Sequence, residues 1–171
     1  MIADNTFEGR LYRALNPVWA AQPFSGEGAR RYGGRFNPLG VPALYCSLSP
    51  VTALREANQV GDLQPTTLVA YRALVERVFD SRDEAALRGE DIDSPGLADS
   101  GWREAMRRDG EAPTQQFARQ LMDDGWNGLL VRSFARASDT EDLNLVLWRW
   151  GDVSPSRLVL IDDEGRLGAS L

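Results

Sequence analysis

Along this chain, bursts of two-residue alternation and bursts of helical periodicity follow one another in irregular order. Residues 9–15 alternate, with Leu11 and Arg13 set against Tyr12 and Ala14, which predicts a strand. Residues 25–32 read as a short helix opened by Ser25 and stopped by Gly33-Gly34. A turn at 37–40 leads into a short strand at 41–47. Ser49-Pro50 is a strong helix start, a side-chain cap followed by proline at the first helical position. That helix is predicted to reach about Gln59 with an apolar stripe of Ala53, Leu54, Ala57 and Val60. Glu56 lies beside the stripe, at the edge of a cleft or in water. Residues 66–74 are β-rich and 75–79 continue them after a bend. Helices are predicted at 81–88, 102–108 and 114–124, the last closed by Gly125, and a mobile acidic loop at 89–100. A strand at 128–132 runs straight into Ser133. After a polar loop at 135–142 come strands at 143–150 and 157–162. Without a regular βαβ order, the class is α+β.

The 171 residues read as one domain spanning 1–171, long enough for a real core. No apolar run approaches the roughly 20 residues of a membrane span, and the first residues lack the pattern of a signal peptide. With a lone cysteine, Cys46, which suits a reducing compartment, these features point to the cytoplasm. Two absences narrow the chemistry further. There is no histidine, which removes histidine acid–base catalysis and most zinc chemistry. There is no lysine, so all 19 positive charges are arginines and Schiff-base mechanisms are excluded. An anionic ligand must therefore be held by arginine or by main-chain N–H groups. Residues 1–60 carry six arginines against four acids, although the whole chain has a net charge of −6. A small phosphorylated ligand suits that first third; nucleic acid does not suit the acidic whole.

Within it, Gly33-Gly34 present Arg35, a strand carries Tyr45, and a capped helix carries Glu56. A guanidinium fork fits a pyrophosphate, an aromatic ring stacks on a cationic nicotinamide, and a fixed carboxylate stabilises the positive charge that builds on ribose as the nicotinamide bond breaks. Nicotinamide leaves as a neutral molecule, so this reaction needs neither histidine nor metal. Each residue also has a plain alternative: a surface arginine, a buried strand tyrosine, a solvated helix glutamate. Ser133 at a strand end either orients ribose or phosphate or simply forms a turn. Arg13 and Asn144 are functional only if their faces converge. The pairs Asp91/Asp93 and Asp123-Asp124 read as solvated rather than metal-binding, and Trp148 and Trp150 as packing residues.

Taken in order, Tyr12-Arg13, Gly34-Arg35-Phe36-Asn37, Leu44-Tyr45-Cys46-Ser47, Ala53-Leu54-Arg55-Glu56, the strand into Ser133 and Asn144-Leu145-Val146-Leu147 resemble the RES-domain toxins of bacterial toxin–antitoxin modules. The resemblance implies an ADP-ribosyltransferase-like fold, with a mixed, mainly antiparallel sheet, surrounding helices and an NAD+ cleft. It implies Arg35, Tyr45, Glu56 and Ser133 as catalytic residues, and Arg35, Tyr45, Arg13 and Asn144 as contacts to NAD+, which is a substrate here. It also implies a helix-turn-helix antitoxin of the Xre type that blocks the cleft. The ADP-ribose acceptor stays open between a cellular protein, favoured by fold analogy, and water or phosphate. A non-catalytic interaction module and a metal-dependent nuclease or phosphotransferase are the readings from other classes.

Overall fold

The computed structural model describes residues 2–58 and 62–167. Its strands are β1 (Ile2–Ala3), β2 (Thr6–Leu15), β3 (Leu44–Ser47), β4 (Thr67–Val75), β5 (Val78–Asp80), β6 (Gly128–Arg132), β7 (Leu143–Leu147) and β8 (Ser156–Leu160). Its helices are α1 (Glu27–Tyr32), α2 (Pro50–Ala57), α3 (Glu84–Gly89), α4 (Ser94–Ala98), α5 (Trp102–Asp109) and α6 (Pro113–Asp123). The strands form one sheet in the order β5-β6-β7-β3-β2-β4-β8, with β1 folded back on β2. Every pairing is antiparallel except β5 with β6. The α+β class is therefore correct.

The pairing is uneven. β2 and β4 are in register over nine residue pairs, from Phe7 opposite Val75 to Leu15 opposite Thr67. β2 meets β3 at a single position, Tyr12 opposite Ser47. The two halves of the sheet part there, and side-chain alternation then divides the apolar residues between two cores. The first core is built from strand residues of both halves, among them Leu11, Leu44, Tyr71, Leu130, Leu145 and Leu158. This face of the sheet curls onto itself. The opposite face of β6 and β7 carries Leu129, Val131 and Val146 and is covered by Leu87 of α3, Leu97 of α4 and Phe117, Ala118 and Leu121 of α6. Each fully buried leucine contributes about 1.5–3 kcal/mol relative to exposure.

The start of α2 is as expected: the Ser49 hydroxyl accepts from the Thr52 N–H at 3.0 Å. Its described end is Ala57; the expected continuation to Gln59 and Val60 lies outside the described residues. Other boundaries shift for physical reasons. Asp4 and Asn5 both take positive φ and close a two-residue hairpin that adds β1. The segment expected as a mobile loop at 89–100 contains α4, capped by Asp93 and anchored by the buried Leu97. The strand predicted over 143–150 ends at Leu147, where the main-chain N–H of Trp148 turns to the carbonyl of Asn127.

After α1, Gly33 takes φ 68° and Gly34 pairs with Asn37 in an isolated bridge. A Cβ on Gly34 would stand 2.3 Å from the Tyr45 hydroxyl and 2.4 Å from Asn37 Oδ1, whereas one on Gly28 would meet nothing within 4 Å. Gly34→Ala is expected to cost about 1–3 kcal/mol through the broken hydrogen bonds, and Gly28→Ala to stabilise by up to about 1 kcal/mol through helix propensity. Urea denaturation of the two variants checks both signs.

Candidate active site

A cavity of about 370 Å³ opens where β2 parts from β3. That lies within the range of small-molecule sites. Alternation aims one set of strand residues at it: Tyr12 pairs with Ser47, Ser47 with Asn144, and Tyr45 with Val146, so all five side chains share a face. Helix α2 packs against β2 and β3 and brings Ala53 and Glu56 to the same space. The glycine turn supplies Arg35 and Phe36, and α5 supplies Trp102 and Arg103.

Glu56 is the node of the site. Its Oε1 accepts from the Ser133 hydroxyl at 2.6 Å and from the Asn144 amide N–H. Asn144 is itself oriented, because the Ser47 hydroxyl donates to its Oδ1 at 2.7 Å. The Ser133 oxygen accepts from the Ala135 N–H at 3.2 Å and lies 2.9 Å from the Ser138 hydroxyl. A half-buried carboxylate is thus fixed by donors on β7 and just beyond β6, and charge-assisted bonds of this kind are among the stronger ones in proteins.

Tyr45 is half-buried on the cavity wall. Its hydroxyl donates to Asn37 Oδ1 at 2.7 Å and accepts from the Phe36 N–H at 3.0 Å, so the phenol also braces the glycine turn. Burial raises its pKa, against smaller opposing effects of the Phe36 N–H and Arg35, and keeps it neutral. Arg35 is no loose surface residue. Its Nη1 donates to the carbonyls of Leu97 at 2.9 Å and Asp99 at 2.7 Å, and its guanidinium lies 4.5 Å from the Phe134 ring centroid. Both bonds leave from Nη1, so the Nε–Nη2 edge stays available to a bidentate acceptor. Burial, and after it the neighbouring Arg103 charge, lower its pKa; Glu56 and Asp99 act the other way.

Arg35, Tyr45, Glu56, Arg13 and Asn144 all line the cavity, and Ser133 joins it through its bond to Glu56. Arg13 reaches it differently from the rest. Its position in β2 follows Leu11 and Leu15 onto the first-core face, and its Nη1 donates to the Pro23 carbonyl at 2.6 Å. Trp102, Arg103 and Phe134 also line the cavity and lie outside the residues that the sequence marks as a site. Phe134 adjoins Ser133, a usable signal. Nothing in the spacing marks Trp102 and Arg103, which arrive from more than 60 residues beyond Arg35.

Asp142, buried between α2 and the start of β7, holds the two together. It accepts from the Thr52 hydroxyl at 2.5 Å, from Arg55 Nη1 at 2.6 Å and from the Asp139 N–H at 3.0 Å. Thr52 and Arg55 lie in the turn of α2 that leads into Glu56. The Thr52 bond first, then the Asp139 N–H, lower the pKa of Asp142 below its ordinary value of 3.8. Its folded pKa is below the unfolded one, so its stabilisation is complete above the ordinary carboxylate range and is lost as pH falls through the lowered value. Asp142→Asn is expected to lower the melting temperature at pH 7 and to narrow the gap to wild type towards pH 2, read by thermal melts across that range.

Among solved structures, the fold is similar to a chain in the crystal structure of the M. tuberculosis MbcT-MbcA toxin-antitoxin complex. The TM-score is 0.65 at 21% sequence identity, covering 91% of this chain and 82% of that one. Among curated proteins there is no significant match. Residues 10–168, which include every cavity residue described above, match the RES domain. The chain belongs to the RES domain family.

Proposed function

We propose that this protein is a toxin of a bacterial toxin–antitoxin module that cleaves the nicotinamide–ribose bond of NAD+ and transfers ADP-ribose to a cellular protein. The observation that carries the reading is a carboxylate fixed by two donors, Ser133 and Asn144, in the same cavity as a guanidinium with a free edge and an aromatic ring. In this reading the Arg35 fork takes the diphosphate, with Arg13 reaching the cavity from the opposite face of the sheet. The Tyr45 ring lies against nicotinamide. As the C–N bond breaks, its electron pair leaves with neutral nicotinamide, and positive charge develops on the ribose. Glu56 faces that charge, and its prior fixation avoids the cost of reorienting a carboxylate during the reaction. The same carboxylate, held by Ser133 and Asn144, also meets a ribose hydroxyl in this reading. No metal enters these steps.

The fold neighbour comes from a toxin–antitoxin complex, and the partner proposed here is likewise an antitoxin, of the Xre helix-turn-helix type, seated over the cavity. The setting proposed is the cytoplasm. No helix among the described residues is long and apolar enough to cross a membrane.

The test is incubation with NAD+ labelled in the adenylate half and a cell lysate, with nicotinamide release measured in parallel. Wild-type protein is expected to release nicotinamide and to label a protein band. Glu56→Gln, of the same shape, is expected to lose about 100-fold or more of that rate while melting normally. Label confined to free ADP-ribose or its phosphate keeps the cleavage and replaces the acceptor. Absence of nicotinamide release from wild-type protein, or full release from Glu56→Gln, overturns the proposal.

A further inference from the structure

Arg103 is exposed at the start of α5, and its guanidinium lies 4.4 Å from the centroid of the Trp102 ring. Arg35 approaches the same indole at 6.0 Å. Both residues line the one cavity. Ion pairs among the described residues engage Arg30, Arg31, Arg55, Arg82, Arg108, Arg119 and Arg166, and leave these two out. The pair is costly as it stands. Two like charges share a partly desolvated space, and after burial the charge of Arg103 is the largest influence lowering the pKa of Arg35. Such repulsion is relieved when an anion of more than one charge is placed between them.

Resting on the NAD+ reading, we propose that Arg103 and Arg35 form the two jaws of a diphosphate grip, in which Arg103 selects dinucleotides over ligands bearing a single phosphate. The buried Trp102 serves as the platform that keeps the Arg103 guanidinium flat and aimed at the cavity. Arg35, tied to the carbonyls of Leu97 and Asp99, is the fixed jaw; Arg103, exposed, is the adjustable one. A single phosphate can satisfy the Nε–Nη2 edge of Arg35 alone. A diphosphate carries a second charge far enough away to engage Arg103.

The test is calorimetric titration of wild type, Arg103→Ala and Arg103→Lys with ADP-ribose and with AMP, alongside thermal melts. Arg103→Ala is expected to weaken ADP-ribose binding about tenfold, as for one charge-assisted hydrogen bond, and AMP binding much less. Arg103→Lys is expected to fall between, keeping the charge without the fork. An ADP-ribose affinity unchanged in Arg103→Ala, or an equal loss for both ligands in a normally melting variant, overturns the grip. The readout needs no turnover. Arg103-dependent ADP-ribose binding in a wild-type protein that never releases nicotinamide would keep the grip and sink the cleavage reading alone.

Discussion

The site depends on a seam in the sheet. Where β2 runs beside β3, one residue pair, Tyr12 with Ser47, joins strands that are otherwise fully laddered to their other neighbours. Main-chain groups that do not pair across the seam must be satisfied elsewhere or left to solvent. The opening they leave is the cavity. A continuous ladder would zip the two halves together and close the opening. The parted halves instead let α2 settle against both strands and present Glu56 to the donors on β7 and just beyond β6.

A short helix across an open seam needs a fastener, and Asp142 supplies it. Its bonds to Thr52 and Arg55 fix both the rotation and the height of α2 against the start of β7. Because Asn144 lies two residues further on, the carboxylate that holds the helix and the amide that holds Glu56 both sit at the start of β7. Positioning of the Glu56 carboxylate is therefore set by polar contacts at the cavity rim more than by the apolar cores.

The sequence made the first half of this architecture readable because its signals are local. The cap at Ser49, the Gly33-Gly34 stop and the alternation in β2 each lie within a few residues of what they determine. Arg35, Tyr45 and Glu56 fall in that same stretch, and so their convergence could be anticipated. What the sequence hid is long-range. The carbonyls of Leu97 and Asp99 that seat Arg35 and the Trp102–Arg103 wall come from segments whose local pattern says only helix or acidic loop. The 89–100 stretch is the clearest case. Its composition is that of a solvated turn, yet one leucine aimed at α6 makes it part of the second core. Arg13 shows the opposite limit: alternation assigns it a face correctly, but only the parting of β2 from β3 brings it to the cavity.

Both main-chain hydrogen bonds of Arg35 go to the carbonyls of Leu97 and Asp99 at the end of α4, so the acidic segment and the cavity share a hinge pin. The two carbonyls set the direction of the guanidinium, so a displacement of the 97–99 backbone would turn it with them. Information about what touches the outer surface can thus reach the ligand through one side chain, with no movement of the sheet.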